Sequence, residues 1–323
     1  MRNSKKKKER RKTNDKLIRL LIIERLITKK NSMKKENFIF TLVFILTFSF
    51  TSAFAQKWTQ QTSNTSQNLR GCYFVNARNG WAVGENGVIL HTSNMGVTWS
   101  SQTSGTTNDL QAVCFLDSLI GYSVGSCGTT LKTINGGIKW TVQMQNSASY
   151  CSSNPYVHDL RTIAMKTETM GTAAGISIGA IYTTNSFTNS TTPWSGNVFH
   201  IQKVPNSTKI FTCNGTNIII SNDYGATWSV GGNYATNVGS LNFGCYIDAN
   251  NIFVCNGLNL FKYEWTGTNY AWVSKYKSTT FYLNSLEFLN QQKGYFATST
   301  GLIYYTENSG SNWSKQTTQL LLH

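Results

Sequence analysis

Charged residues, acidic residues and proline are scarce in this chain of 323 residues. Only 14 residues are Asp or Glu, 3 are Pro, and charged residues make up 13% of the sequence, against roughly 25% in a typical soluble protein. Helical bundles and coiled coils are rich in Ala, Glu, Lys and Leu, so this composition argues against both. Aromatic residues make up 13%, whereas disordered chains combine few aromatics with high net charge. A β-rich fold fits better.

The positive charge of the chain lies mainly in its N-terminal region. The formal net charge is +15, and residues 1–55, with 15 basic and 4 acidic side chains, account for +11 of it. The remaining residues, 56–323, carry only +4. A strongly basic protein would attract nucleic acid, but the nearly neutral body argues against that partner.

Residues 33–55 have the pattern of a secretory signal peptide. Residues 33–35 form a positively charged start, residues 38–48 form an apolar run, and a small-x-small site predicts cleavage between Ala55 and Gln56. The apolar run is shorter than the roughly 20 residues of a membrane-spanning helix, so we prefer a cleaved signal to an uncleaved anchor. The sequence thus predicts a secreted, periplasmic or cell-surface protein that meets the membrane only through this signal.

Residues 1–32 match none of the downstream features. Their basic run, residues 5–11, resembles a nucleic-acid patch or nuclear signal. A signal peptide should begin near its own initiator, however, and Met33 supplies one. We therefore expect residues 1–32 to be upstream translation from a misplaced start, or a disordered extension without a folded role.

Internal repeats of about 41 residues organise residues 56–323. Periods of 40–45 residues are typical of propeller blades and of helical arrays. Between the repeated tryptophans, short β-branched and aromatic runs alternate with Gly and Asn turns, which is typical of strands and hairpins. The sequence therefore predicts an all-β fold, a β-propeller of four-stranded blades. The repeated tryptophans are Trp58, Trp99, Trp140, Trp194, Trp228, Trp272 and Trp313.

Six repeats are present, and the number of blades has two interpretations. In three repeats, 11 residues separate the tryptophan from the first Leu of the next inner strand, and the same step from Trp313 leads to position 324. The strand at Trp58 also lacks inner strands before it. Together these features predict a seven-bladed type truncated at its C-terminus. The alternative is a six-bladed ring with a spare strand.

Four copies of an eight-residue motif link the third and fourth strands of their repeats. The clearest copy, residues 221–228, has the form Ser-x-Asp-x-Gly-x-Thr-Trp. The Asp or Asn side chain can accept hydrogen bonds from turn amides, the Gly can adopt a left-handed conformation, and the Trp can bury a large face. We expect a structural role for Asn94, Gly96, Trp99, Asn135, Gly137, Trp140, Asp223, Gly225, Trp228, Asn308, Gly310 and Trp313.

These octets resemble the Asp-box, or BNR repeat, of the sialidase-like propellers. With the Gly-aromatic-x-Val-Gly pattern of residues 80–84 and 121–125, the chain is most similar to the photosystem II stability/assembly-factor-like branch. The resemblance implies a lumenal or periplasmic scaffold that holds a membrane-protein assembly intermediate through an arginine patch. Arg70 and Arg161 both follow the first Leu of an inner strand, so we expect them on equivalent faces of two blades as partner-facing residues.

An insertion in the connection between residues 140 and 160 is a second candidate binding region. It spans 20 residues where regular repeats use 11, and long loops on a rigid scaffold concentrate binding groups. Tyr156 and His158 are its candidate partner-facing residues, and a disordered bulge is the alternative. A disulfide between Cys127 and Cys151 would fix the insertion, because secretion permits disulfides.

A glycoside hydrolase is the main alternative function. Such enzymes generally need two positioned carboxylates, and no pairing is visible among the acidic residues outside turns and boxes. The histidines lack metal-ligand spacing and no phosphate-binding loop is present, so we predict no catalytic, cofactor or metal site. The loose acidic candidates are Glu85, Asp109, Asp159 and Glu264.

The sequence thus predicts a secreted, noncatalytic and monomeric propeller that serves as a binding or assembly scaffold. Its expected partner is a protein or a surface glycan. The alternatives are a secreted sialidase-like glycoside hydrolase and a fragment of a cell-surface adhesin.

Overall fold

The computed structural model describes residues 61–146, 158–198, 200–204, 207–214, 217–233, 243–248, 251–265 and 270–316. In these residues the chain forms six antiparallel sheets of four strands each, and every sheet consists of four strands that are consecutive in sequence. The sheets are the blades of a propeller. The predicted all-β propeller of four-stranded blades is therefore confirmed.

The first three blades contain strands β1 to β12. Blade 1 is formed by β1 (Leu69–Phe74), β2 (Gly80–Gly84), β3 (Ile89–Thr92) and β4 (Ser100–Gln102). Blade 2 is formed by β5 (Leu110–Phe115), β6 (Gly121–Gly125), β7 (Thr130–Thr133) and β8 (Thr141–Met144). Blade 3 is formed by β9 (Asp159–Met165), β10 (Gly171–Ile176), β11 (Gly179–Thr183) and β12 (Thr191–Trp194).

The other three blades contain strands β13 to β24. Blade 4 is formed by β13 (Gln202–Lys203), β14 (Ile210–Asn214), β15 (Asn217–Ser221) and β16 (Ser229–Asn233). Blade 5 is formed by β17 (Phe243–Asp248), β18 (Asn251–Cys255), β19 (Asn259–Trp265) and β20 (Tyr270–Lys277). Blade 6 is formed by β21 (Leu283–Phe288), β22 (Gly294–Thr298), β23 (Ile303–Thr306) and β24 (Ser314–Lys315).

The hydrophobic core lies in the seams between neighbouring blades. Phe115 of blade 2 stacks on Trp81 of blade 1 with ring centroids 3.5 Å apart, and Phe288 of blade 6 stacks on Phe253 of blade 5 at 4.1 Å. Similar clusters join blades 2 and 3, 3 and 4, and 4 and 5. Because burying one such side chain contributes about 1.5–3 kcal/mol, these seams are the main stabilising contacts between blades.

Each of the four predicted octets contains the same pattern of hydrogen bonds. In blade 2 the Thr133 hydroxyl donates to Asn135 Oδ1 (3.0 Å) and accepts a bond from the Gly137 amide (2.9 Å), while Asn135 Oδ1 also accepts one from the Lys139 amide (2.9 Å). The same bonds surround Asn94, Asp223 and Asn308. The glycines have positive φ: 82° for Gly96, 88° for Gly137, 102° for Gly225 and 76° for Gly310.

Blade 3 contains a fifth turn of this type, which the sequence motif did not reveal. The Thr183 hydroxyl donates to Asn185 Oδ1 (3.0 Å) and accepts a bond from the Phe187 amide (2.9 Å). Phe187 takes the glycine position with a φ of 66°, and its ring packs edge-on against Tyr122 of blade 2. Burial of this ring offsets the backbone strain, so the turn retains its geometry without the Gly and Trp of the motif.

Candidate functional site

In each of four blades, a β-bulge near the start of the inner strand takes one residue out of the pairing register with the next strand. In blade 1 this residue is Arg70, which lies between Leu69 and Gly71 where the pairing register with β2 shifts. In blade 3 it is Arg161, at the shift between β9 and β10. The two arginines therefore occupy the same bulge position in their blades, and a bulge changes the direction of the side chain that it carries. Blades 2 and 6 have Gln111 and Asn284 there.

Arg70 forms an ion pair within its own blade. Its Nη2 atom lies 2.5 Å from Glu85 Oε1, and Asn68 Nδ2 also donates to both oxygens of the Glu85 carboxylate, at 3.0 and 2.9 Å. The hydrogen bond from Asn68 and the neighbouring guanidinium lower the pKa of Glu85. The positive charge of Arg70 is therefore partly balanced before any partner binds.

Arg161 differs from Arg70 in its surroundings. Its side chain is exposed, and no hydrogen bond or ion pair joins it to another described residue. Arginine can bind a carboxylate through two parallel hydrogen bonds. Of the two bulge arginines, Arg161 is therefore the one that is available to an acidic ligand.

The insertion after blade 2 is described only at its two ends. Tyr156 and Cys151 lie outside the described residues, as do Ala55 and Gln56. The His158 carbonyl accepts a hydrogen bond from the Gly128 amide at 2.7 Å, which ties the start of blade 3 to the β6–β7 turn of blade 2. Cys127, in that turn, is disulfide-bonded. Its pairing with Cys151 stays a prediction.

Three of the loose acidic candidates make contacts within the fold. Glu85 pairs with Arg70, Asp109 Oδ1 accepts a hydrogen bond from the Asn86 amide at 3.0 Å, and Glu264 pairs with Lys275 at 2.6 Å. The fourth, Asp159, is buried at the start of β9 with one carboxylate oxygen lacking a hydrogen-bond partner.

The described part of the chain has neither a candidate metal centre nor a candidate membrane-spanning helix. It contains no group of three or more His, Cys, Asp and Glu side chains that could hold a metal ion. No helix in it is long and apolar enough to cross a membrane.

Comparison with known proteins relates this propeller to a group of assembly factors. The family model of the photosynthesis system II assembly factor YCF48 matches residues 50–202. The structure of YCF48 bound to a D1 peptide is 17% identical, covers 81% of this chain and 88% of its own, and has a TM-score of 0.61. YCF48 from Cyanidioschyzon merolae is 15% identical, with coverages of 80% and 88% and a TM-score of 0.63.

Other propellers share the fold at lower identity. The GH74 xyloglucanase from Xanthomonas campestris is 11% identical, covers 80% of this chain but 46% of its own, and has a TM-score of 0.60. A sequence search of curated proteins found no match. Likenesses at these identities show the fold. Together with the family match, they confirm the resemblance to the photosystem II assembly-factor branch of the Asp-box propellers.

Proposed function

We propose that residues 56–323 form a secreted, noncatalytic scaffold that binds an acidic segment of a partner protein at Arg161 and Arg70. The bulge carries this proposal, because it gives the two arginines the same position on the inner strands of two blades. A YCF48 propeller with a bound D1 peptide supports a peptide or protein as the partner. A guanidinium binds a carboxylate through paired, charge-assisted hydrogen bonds, so the segment should contain Asp or Glu.

The role of the arginines can be tested with a labelled peptide of alternating Glu and Ala and its Gln counterpart. We expect only the Glu peptide to bind the mature chain in fluorescence anisotropy measurements. Arg161→Ala should weaken binding at least about tenfold, since a charged hydrogen bond contributes about 1.5–3 kcal/mol and each 1.4 kcal/mol is about a factor of ten in affinity. Arg70→Ala should have a smaller effect because Glu85 already balances its charge.

Arg78→Ala is the matched control for this experiment. Arg78 is exposed in the turn between β1 and β2, so its removal changes the net charge equally without altering a bulge. We expect unchanged affinity for this variant. If all three variants weaken binding equally, the interaction depends on overall charge and the proposed site is wrong.

Export is supported by the signal-peptide pattern of residues 33–55. N-terminal sequencing of the protein recovered outside the cytoplasm should begin at Gln56. A mature protein that retains residues 5–8 would contradict this part of the proposal.

A glycoside hydrolase remains the second candidate because a xyloglucanase shares the fold. It predicts turnover of aryl glycosides that is lost in Asp159→Asn, since Asp159 is the loose candidate that is buried with one carboxylate oxygen lacking a hydrogen-bond partner. The scaffold proposal predicts no turnover by either protein.

A further inference from the structure

Five exposed aliphatic side chains lie on turns at one end of blades 1 and 2. Met95 and Val97 belong to the β3–β4 turn of blade 1. Ile134 and Ile138 belong to the β7–β8 turn of blade 2, and Leu119 belongs to its β5–β6 turn. Each is between 55% and 85% exposed, and clustered exposed apolar side chains mark interaction surfaces. We call these five residues the aliphatic turn patch.

Hydrogen bonds hold these turns together at the end of each blade where the inner strand finishes. The Met95 amide donates to the Arg78 carbonyl in the β1–β2 turn (3.0 Å), and the Gly136 amide donates to the Leu119 carbonyl (2.8 Å). Trp81 Nε1 of blade 1 also donates to the Gly136 carbonyl of blade 2, at 3.3 Å. The patch therefore spans two adjoining blades, at the end opposite the bulges that begin their inner strands.

The equivalent turns of blades 3, 4 and 6 carry small or polar side chains at these positions. Since all of these turns share the same hydrogen bonds, the turn geometry does not require aliphatic residues. The patch is thus a particular feature of blades 1 and 2. The residues at the positions of Ile134, Ile138 and Leu119 are Thr184, Thr188 and Thr169 in blade 3, Asn222, Ala226 and Thr208 in blade 4, and Glu307, Ser311 and Gln292 in blade 6.

Basic side chains share this end of the blades. Arg78 lies in the β1–β2 turn, Lys139 in the β7–β8 turn and Lys166 in the β9–β10 turn, and all three are exposed. No ion pair joins any of them to another described residue. The other charged groups at these turns of blades 1 to 3 are Asp117 and the Lys132–Glu168 ion pair. Three unpaired basic groups against one carboxylate leave an excess of two positive charges.

We infer that this end of blades 1 and 2 binds an anionic lipid surface. Aliphatic side chains on separate turns can each enter the headgroup region, because a fluid bilayer requires no matching pocket, and exposed Lys and Arg attract anionic lipids. A second copy of the chain fits less well, since a two-fold contact would bring the same positive excess together.

This contact is additional to the proposed binding of an acidic segment and does not depend on it. Arg70 and Arg161 lie near the start of their inner strands, at the opposite end of the blades. A propeller that rests on lipid through the aliphatic turn patch would therefore present both arginines to the solvent. Loss of one activity should leave the other intact, so the two proposals can fail separately.

Sedimentation of the mature chain with lipid vesicles tests the inference. One set of vesicles is phosphatidylcholine alone, and the other contains one part phosphatidylglycerol to two parts phosphatidylcholine. We expect binding at least about tenfold stronger to the mixed vesicles. The double variant Ile134→Ser with Ile138→Ser should bind them at least about tenfold more weakly, because two aliphatic side chains can no longer be buried. Lys139→Gln should weaken this binding about fivefold.

The matched control removes two exposed apolar side chains from the opposite end of the blades. It is Leu258→Ser with Tyr282→Ser, because Leu258 lies in the β18–β19 turn and Tyr282 directly precedes β21. We expect its vesicle binding to be unchanged. Thermal melting followed by circular dichroism checks the fold of each variant. Met95→Ser with Val97→Ser, in blade 1, gives a second measurement if the blade 2 variant does not fold.

Several outcomes would overturn the inference. The natural chain could fail to bind the mixed vesicles, or bind both kinds equally. The control could lose as much binding as the Ile134→Ser and Ile138→Ser variant, which would show general adhesion. A dimer that forms without lipid and is lost in that variant would also overturn it, because a second copy would then cover the patch.

Discussion

Blades 1 and 2 have closely similar sequences, yet their inner strands lie in different environments. Both begin with Leu and a bulge residue, both end with Phe, and both carry the same turn network. Leu110 is fully buried in a cluster with Trp81 of blade 1, whereas Leu69 is 42% exposed. The comparison shows that a blade's own sequence sets its strands and turns, while the burial of its inner strand depends on the preceding blade.

The largest expected effect is on the leucines that begin the inner strands. Leu110→Ala should lower the free energy of unfolding by about 3 kcal/mol, because it leaves a cavity in a closed seam. Leu69→Ala should lower it by less than about 1 kcal/mol, because the side chain is already partly in water. Urea denaturation of the mature chain measures both. Equal losses would show that the face of blade 1 is covered in solution.

A smaller effect is expected for the turn network, and here the two blades should behave alike. Asn135→Ala and Asn94→Ala each remove an acceptor of several hydrogen bonds, so each should cost about 1–2 kcal/mol in the same urea assay. Asn135→Asp is the control, since blade 4 has Asp223 at this position. A loss in blade 2 alone would mean that the network depends on the closed seam.

The smallest effect is a dependence on pH that distinguishes blade 4 from the blades with Asn. Burial raises the pKa of Asp223, but hydrogen bonds from Thr227 and Ser221 outweigh it, so the net pKa is lowered. A carboxyl with a lowered pKa in the folded state stabilises the fold above its unfolded pKa of about 3.9. This contribution is lost as the pH falls through the folded pKa.

The stability difference between the natural chain and Asp223→Asn should therefore change between pH 7 and pH 3, to the disadvantage of the natural chain at pH 3. Asn135→Asp should introduce the same dependence into blade 2. Urea denaturation at the two pH values measures this difference. Parallel pH profiles for the natural chain and both variants would contradict the expected linkage.

Sequence reasoning succeeded where a feature is local and repeated. The 41-residue period, the strand runs and the Asn-x-Gly turns predicted a propeller of four-stranded blades, because hairpin geometry depends on residues that are close in the chain. The same reasoning missed the turn around Asn185, since its glycine position holds Phe187. Packing of that ring in the seam with blade 2, against Tyr122 among others, explains why Phe can replace Gly at this position.

What the sequence by itself determined is therefore the repeating unit: its strands, its turns and the position after the first Leu of the inner strand that Arg70 and Arg161 share. Only the tertiary structure decided that Glu85 balances Arg70 while Arg161 is exposed. It also decided that β1 presents an incompletely buried face. The physical reason is that burial and charge pairing arise between residues that the fold brings together, and the spacing of residues along the chain does not specify what lies across a seam.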